Sequence, residues 1–310
     1  MLSTNIRIAT RTSSLALWQA EYIADRLCRS PSAPAVELIH IKTRGDEDQT
    51  SPLRGFGSTG AFTREVQRAV LEGEADVAVH SLKDLPTESV QGLCLACVPD
   101  RASRLDAIVL PRGQEPISSI SDLPVAATIG TGSLRRRAQL LHRRPDLTVK
   151  DIRGNVDTRI RKLDDGDYDA VILAEAGLRR LGLQERISLA LSPPEMLPAV
   201  GQGALGVECR VDDSGSLKQV SLLTDEATLH SVTAERSLLR ALGIGCHAPL
   251  GAWTEIDGRQ LTLRGVLLSV DGSIRLEADE TGDYDDAERI GRNVAQQLFG
   301  AGGDTLLEVD

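Results

Sequence analysis

The feature that most constrains the fold is an alternation of short apolar segments with amphipathic ones. Short apolar runs predict strands, and the amphipathic segments between them predict helices. The predicted strands are Ile6–Thr10, Val36–Thr43, Asp76–Ser81, Ala107–Leu110, Ala127–Thr131, Thr148–Arg153 and Ala170–Ala174. The predicted helices are Ser14–Arg29, Ala61–Glu72, Leu134–Arg143, Val156–Asp164 and Ala176–Leu181. This order is typical of α/β layers.

The two halves of this pattern echo each other. In each half the first strand enters a short polar turn, residues 10–14 or 131–134, and a helix follows. Each half also has a later strand that opens with an aspartate, Asp76 or Asp169. We therefore expect two similar α/β domains that face each other across a cleft.

The pattern changes near residue 224. A long helical segment, Glu226–Leu242, leads into a glycine-rich loop. Three strand-like runs follow, Leu250–Ile256, Gln260–Val270 and Ser273–Glu280, and then a last helix, Tyr284–Phe299. This order predicts a small C-terminal α+β domain with an antiparallel sheet.

Bulk properties exclude several classes of protein. The net charge of -10 makes nucleic acid and anionic membranes poor partners. No segment has the length of a membrane span, and no secretory signal is visible, so we expect a cytoplasmic protein. Five cysteines, an odd number, argue against a disulfide framework.

Most of the 35 basic residues are arginines, which reflects either genomic base composition or a need for groups that bind carboxylates bidentately. Several follow successive predicted strands, whose carboxyl ends gather in one crevice in α/β folds. The set expected to converge on a polyanion is Ser133, Arg135, Arg136, Arg153 and Arg159. The alternative is a set of surface arginines paired with nearby acids, to which we assign Arg137, Arg143, Arg144, Arg161 and Arg179.

Two further residues are candidates for chemistry. Asp84 follows an apolar strand beside Lys83, where an ionised carboxylate can stabilise a cation and pass a proton. The alternative is that Asp84 caps the turn before Pro86. Cys246 lies in a glycine-rich loop beside His247, which suits a nucleophile or a covalent attachment point, although an incidental loop cysteine gives the same pattern.

Two motifs are rejected. Cys94 and Cys97 form a CxxC, but no second pair completes a zinc site, and their spacing on a strand predicts thiols on opposite faces. We expect no metal. Residues 201–206, GQGALG, match GxGxxG but follow a proline-rich loop and lead into a strand, which excludes a nicotinamide site.

Together, several segments resemble the hydroxymethylbilane synthase (porphobilinogen deaminase) family. In chain order they are RIATRTSSLALWQA, IKTRGDE, ADVAVHSLKDLP, IGTGSLRRRAQL, IRGNVDTRIRKLDDGDYDAVILAEAGLRRLGL, LPAVGQGALGVECR and LGIGCHAPLG. They cover nearly the whole chain in the family's order. The resemblance implies two α/β domains similar to type II periplasmic binding proteins, joined by two crossing segments, and a third domain. It assigns residues 1–101 and 200–220 to domain 1, 102–199 to domain 2 and 221–310 to domain 3.

The resemblance also implies a transferase of tetrapyrrole (haem) biosynthesis. The implied reaction condenses four porphobilinogen molecules with loss of ammonia, on a dipyrromethane cofactor held through a thioether to Cys246, and then releases hydroxymethylbilane by hydrolysis. Asp84 matches the catalytic carboxylate. Residues that match cofactor contacts are Ser81, Lys83, Thr131, Ser133, Arg135, Arg136, Arg153 and Asn155. Residues that match substrate contacts are Arg11, Ser13, Arg153, Arg159, Arg180 and Gln202. We expect a monomer.

The chain departs from the family pattern in the loop of residues 44–60. Gly55 and Thr59 stand where some members carry lysines, and Arg54 is a candidate substitute for one of them. Asp157 also places an acid beside the arginine-rich segment. The substrate contacts of this loop are therefore left open.

Two other functions compete with the family's. A non-catalytic two-domain protein that binds a small dicarboxylate explains the α/β halves and the arginines, but it explains neither the Gly-Cys loop nor a third domain. An unrelated cysteine-nucleophile transferase needs a base near Cys246, for which His247 is the adjacent candidate.

Overall fold

The computed structural model of the chain describes residues 5–30, 34–42, 63–245 and 248–307. The loop of residues 44–60 and the candidate pair Cys246 and His247 lie outside the described residues. The chain forms two compact units, one of Met1–Ala102 with Ala204–Leu229 and one of Ser103–Gly203 with His230–Asp310. The domain boundaries predicted near residues 101, 200 and 220 stay a prediction.

The strands and helices follow the predicted alternation closely. The strands are β1 (Asn5–Arg11), β2 (Ala35–Ile41), β3 (Val77–Ser81), β4 (Leu93–Cys97), β5 (Asp106–Val109), β6 (Thr128–Gly130), β7 (Thr148–Lys150), β8 (Ala170–Ala174), β9 (Leu189–Leu191), β10 (Leu205–Arg210), β11 (Leu250–Asp257), β12 (Gln260–Leu268) and β13 (Arg275–Asp283). The helices are α1 (Ser14–Cys28), α2 (Arg64–Leu71), α3 (Leu134–Arg143), α4 (Val156–Asp164), α5 (Glu175–Arg180), α6 (Ser214–Ser221), α7 (Glu226–Ala241), α8 (Ala287–Gly300) and α9 (Gly303–Leu307). Short 3-10 turns span Leu82–Asp84, Ile120–Asp122, Gln184–Arg186 and Tyr284–Asp286.

The first unit contains a sheet of order β2-β1-β3-β10-β4. Strand β1 is parallel to β2 and β3, whereas β10 is antiparallel to β3 and β4. Apolar residues cover both faces, with Ile8 and Ile23 in one cluster and Ala9 and Val66 in the other. Burial of both faces explains why these strands are apolar runs with little polar alternation.

The second unit contains a sheet of order β7-β6-β8-β5-β9, which repeats the arrangement of the first. Strand β6 is parallel to β7 and β8, and β5 is antiparallel to β8 and β9. The fourth, antiparallel position is thus filled in one sheet by β10 and in the other by β5. This shared topology is the physical basis of the echo between the two halves of the sequence.

The predicted C-terminal α+β domain is present in the second unit. Strands β11, β12 and β13 form an antiparallel sheet. Its core includes Leu263 from the sheet, Leu238 from α7 and Val294 from α8. Among the described residues, no helix is long and apolar enough to cross a membrane.

The expectation that Cys94 and Cys97 point to opposite faces is wrong. Both contact the same hydrophobic cluster of the first unit. The cause is a shift in the pairing of β10 with β4 between Val207 and Glu208, since a bulge changes the alternation of side chains on the strand. No group of three or more metal-ligating side chains occurs within the described part of the chain.

Candidate functional site

A small pocket of about 50 Å³ lies in the first unit, where β1 and β3 end. Its polar lining is Arg11, Ser13, Gln19, Thr63, His80, Ser81 and Asp84. The structure therefore brings together four residues predicted from the sequence, two from the end of each strand. Lys83 lies half-buried in the same 3-10 turn as Asp84.

The local sequence explains how the junction between β1 and α1 forms one wall of this pocket. Ser13 caps α1, and its Oγ accepts a hydrogen bond from the backbone N of Ala16 at 3.4 Å. Thr10 adds a bond from Oγ1 to the carbonyl oxygen of Ala16 at 3.0 Å. The positive end of the α1 dipole is thereby fixed at the pocket.

Asp84 is exposed and ends the turn that follows β3. The turn closes through the backbone, where the N of Leu85 donates to the carbonyl oxygen of Leu82 at 3.3 Å. Throughout the described ranges, no group donates a hydrogen bond to the Asp84 carboxylate. The structure thus gives no support to the capping alternative and leaves this carboxylate accessible to a ligand.

Sequence reasoning missed three polar residues of the pocket, Gln19, Thr63 and His80. Gln19 is 4% exposed and lies on the buried stripe of α1 beside Ala20 and Ile23. A polar residue on an apolar helix face was its detectable signal. His80 is 5% exposed, and its Nε2 lies 3.0 Å from Oε2 of Glu208. No local sequence pattern indicates a partner so distant in the chain.

A second group of predicted residues lies in the second unit, where β6 and β7 end. Thr131 donates its backbone N to the carbonyl oxygen of Lys150 at 2.9 Å, and its Oγ1 accepts from the N of Ser133 at 3.2 Å. Ser133 in turn caps α3. Asn155 precedes α4, is exposed and makes no capping bond with its side chain.

The Arg153-Gly154-Asn155 turn has a backbone that favours glycine at its centre. Gly154 has a φ of +106°, and a Cβ there would lie 2.6 Å from Cγ2 of Thr158. The Arg153 guanidinium is half-buried, and no described residue pairs with it. Arg159 donates from Nε to the carbonyl oxygen of Gly154 at 2.8 Å. This turn therefore presents a cation beside the N-terminus of α4.

Arg135 and Arg136, predicted to bind a polyanion directly, are instead buried against Asp106. Nη1 of Arg135 lies 2.6 Å from Oδ2 of Asp106, and Nη2 of Arg136 lies 2.8 Å from Oδ1. Gln202 joins the cluster from Nε2 to Oδ1 of Asp106 at 3.0 Å. Two guanidinium groups share one carboxylate, so the cluster keeps an excess positive charge. Direct contact of these two arginines with a ligand stays a prediction.

Arg180 and Gln202 donate hydrogen bonds to backbone carbonyl oxygens within the second unit. Nη2 of Arg180 donates to the carbonyl oxygen of Gly203 at 2.8 Å. Gln202 is fully buried and also donates from Nε2 to the carbonyl oxygen of Arg104 at 2.7 Å. In this structure Gln202 therefore contacts the protein rather than an open surface.

Electrostatics hold the Asp106 cluster in its ionised form. Burial alone raises the pKa of Asp106, but the attraction of Arg135 and Arg136 outweighs it and holds the pKa well below its ordinary range. A depressed folded-state pKa stabilises the protein at pH values above the unfolded pKa. That contribution is lost only as the pH falls through the folded pKa, so it persists across the neutral range.

Replacing Asp106 with asparagine is expected to lower the free energy of unfolding by about 3–5 kcal/mol at neutral pH, because two buried guanidinium groups lose their carboxylate. Denaturant unfolding followed by circular dichroism measures this change. The control is Asp146→Asn, which removes the carboxylate of the more exposed pair with Arg144 and should cost much less. Equal losses in the two variants would contradict the structural role of the cluster.

The fold and these residues define a class of protein. It is an α/β protein whose turns at the ends of strands carry positive charge, which suits a ligand that carries carboxylates. Residues 6–218 match the family model described as porphobilinogen deaminase, dipyromethane cofactor binding domain. Residues 229–300 match the model of the porphobilinogen deaminase C-terminal domain. The two matches span most of the chain, and the chain therefore belongs to the porphobilinogen deaminase family.

Membership of this family confirms the predicted enzyme class and cofactor. The chain is a transferase with hydroxymethylbilane synthase activity in porphyrin biosynthesis, and its cofactor is dipyrromethane. Porphobilinogen fits as its substrate. The predicted α/β fold class is also confirmed, with two five-stranded sheets and a small C-terminal domain that contains an antiparallel three-stranded sheet.

Several solved structures are similar at low sequence identity. The methionine-binding protein MetQ is 12% identical with a TM-score of 0.45, over 74% of this chain and 95% of MetQ. The VFT2 domain of BvgS from Bordetella pertussis is 14% identical with a TM-score of 0.42, over 74% of this chain and 91% of that domain. A periplasmic arginine-specific binding protein of Salmonella typhimurium is 12% identical with a TM-score of 0.40, over 73% of this chain and 93% of that protein.

Proposed function

We propose that Asp84, Cys246 and the arginines at the strand ends perform the hydroxymethylbilane synthase reaction in this chain. The observation that carries the proposal is the accessible Asp84 carboxylate in a pocket lined by Arg11, Ser13 and Ser81. A carboxylate beside cationic and hydroxyl groups suits a substrate that carries both an aminomethyl group and acids. Its expected products are ammonia and a linear tetrapyrrole.

In this proposal, Asp84 donates a proton to the leaving group and stabilises the positive charge that forms. As an acid it donates a proton to the amine that departs from porphobilinogen, and as a carboxylate it stabilises the positive charge left on the pyrrole. Its exposed position at the end of a turn allows both roles.

The residues of the second unit fit the dipyrromethane cofactor by their chemistry. No described side chain pairs with the Arg153 guanidinium. The backbone N–H groups at the N-terminus of α4 follow Arg153 closely in the chain. The Asp106 cluster adds an excess positive charge. When bound, the cofactor supplies the free pyrrole carbon from which the product is extended. Arg153, Asn155 and Ser133 hold its carboxylates, and Cys246, outside the described residues, attaches it.

Binding of substrate carboxylates is assigned to Arg11 in the first unit and to Arg153, Arg159 and Arg180 in the second. Lys83 is assigned to the cofactor. Since each pyrrole ring brings two carboxylates, a growing product needs several cations, and guanidinium groups bind carboxylates through paired hydrogen bonds. We also propose that the enzyme acts as a monomer in the cytoplasm, without a metal.

Replacing Arg153 with leucine is expected to raise the KM for porphobilinogen about tenfold or more, because charge-assisted hydrogen bonds worth about 1.5–3 kcal/mol are lost. Initial rates at varied porphobilinogen concentration measure the change, with unfolding curves to show that the variant is folded. The matched control is Arg161→Leu, since Arg161 lies exposed on α4, the helix that follows the Arg153 turn. A folded Arg153 variant with the parent KM would remove Arg153 from the site.

A further inference from the structure

The turn that carries Asp84 is held in place by the returning strand β10. The N of Leu82 donates to the carbonyl oxygen of Ala204 at 3.0 Å, and Ser81 pairs with Leu205. Gly206 leaves room for the turn, since a Cβ there would lie 2.8 Å from Cδ1 of Leu82. All three contacts come from the first residues of β10 and the residue before it.

A group of three buried polar residues adds a fourth contact from β10, further along the strand. Oε2 of Glu208 accepts a hydrogen bond from Nε2 of Gln67 in α2 at 2.8 Å. The same oxygen lies 3.0 Å from Nε2 of His80. Each of the three residues is 5% exposed. One carboxylate oxygen thus joins β3, β10 and α2.

The position of these three buried residues indicates their structural role. A buried carboxylate is costly unless it is paired, and an apolar pair of similar size would usually serve stability as well. Its partner His80 immediately precedes Ser81 and lines the same pocket as Asp84. The contact therefore fixes the backbone at the point where β3 ends and the Asp84 turn begins.

We propose that Glu208 is a positioning residue for Asp84 and acts through His80. The proposal rests on the proposed function of Asp84 and adds to it how the carboxylate is held. Glu208 is buried and does not line the pocket that contains Asp84. Its loss lets the Asp84 turn move, and a displacement of about 1 Å at a reacting group can lower a rate about a hundredfold.

Glu208→Ala tests the proposal. We expect kcat to fall about tenfold while the KM for porphobilinogen stays within about twofold of the parent, because the turn moves and the arginines assigned to the substrate carboxylates do not. Glu208→Gln keeps the length and hydrogen bonding of the side chain, and we expect it to recover most of kcat. Gln67→Leu removes one of the two contacts to Glu208, and we expect a smaller fall in kcat.

The matched control is Asp76→Ala. Asp76 forms an ion pair with Arg7 at 2.7 Å, at the opposite end of β3 from the Asp84 turn. It should lower the unfolding temperature without lowering kcat per folded molecule. Thermal unfolding followed by circular dichroism gives the folded fraction of every variant and does not depend on activity.

Three outcomes separate the possibilities. A folded Glu208→Ala variant with the parent kcat overturns the proposal. So does a fall in kcat that Glu208→Gln does not recover, because the glutamine keeps the length of the side chain and an oxygen that accepts from Gln67. Asp84→Asn is assayed in parallel, and if that variant keeps the parent rate, the proposed function fails and not merely the role of Glu208.

Discussion

Replacing Asp84 with asparagine is expected to lower kcat for porphobilinogen consumption by about 10²–10⁴-fold, the range that a positioned acid or base contributes. Asparagine keeps the shape of the side chain but can neither donate that proton nor carry the negative charge that stabilises the pyrrole cation. The KM should change little, since Arg11 and Arg159, assigned to the substrate carboxylates, remain. Ammonia release and porphobilinogen loss are measured together.

The structure indicates that Asp84→Asn removes the carboxylate without destabilising the fold. Asp84 is exposed, and its turn is closed by a backbone bond from Leu85 to Leu82, so the variant should unfold at the parent temperature. Asp279→Asn is the control, because Asp279 is an exposed aspartate on β13 of the C-terminal sheet. If Asp84→Asn keeps more than about a tenth of the parent kcat, the carboxylate is not the proton donor, because general acid–base groups contribute more than that.

Replacing Cys246 with serine is expected to remove the covalently held cofactor and, with it, turnover. The intact mass of the parent protein should exceed the mass of the bare chain by two porphobilinogens less two ammonias. The serine variant should have the bare mass, since a hydroxyl does not replace the thiolate as the attaching nucleophile at neutral pH. Intact-protein mass spectrometry measures both.

Cys28 provides the control for this experiment, because it is exposed in the first unit and has a free thiol. Cys28→Ser should keep the full mass excess and the parent rate. A parent protein at the bare mass is first incubated with porphobilinogen, which should generate the excess. If the mass still does not change, or if Cys246→Ser gains it equally, Cys246 is not the attachment residue.

Most of the fold could be predicted because its signals are local. Helices α3 and α4 and strand β8 begin and end at the predicted residues. Helix α6 was missed, since its polar residues 214–221 carry little apolar periodicity. The orientation of Cys97 was also missed, because a bulge arises from the pairing of two strands and not from the sequence of either one.

The residues of the candidate site also differ in whether the local sequence predicts them. Ser13 and Ser133 begin helices directly after strands, so the sequence predicts their positions, and the structure places both there as helix caps. The burial of Arg135 depends on Asp106, a partner in a strand far from α3 in the chain. The contact of His80 with Glu208 likewise joins distant strands. Such partners follow from the folded topology, which no local pattern contains.

The position of β10 has a consequence for the order of folding during synthesis. In the first sheet β10 lies between β3 and β4, yet it leaves the ribosome only after all of β5–β9. The second sheet is contiguous from Asp106 to Leu191 and can therefore close first, although it is translated second. Until Leu205–Arg210 emerges, the nascent N-terminal segment has β3 and β4 with open edges, the kind of surface that pairs with other chains. A chaperone that binds nascent chains should therefore protect this protein most while residues 100–210 are being translated.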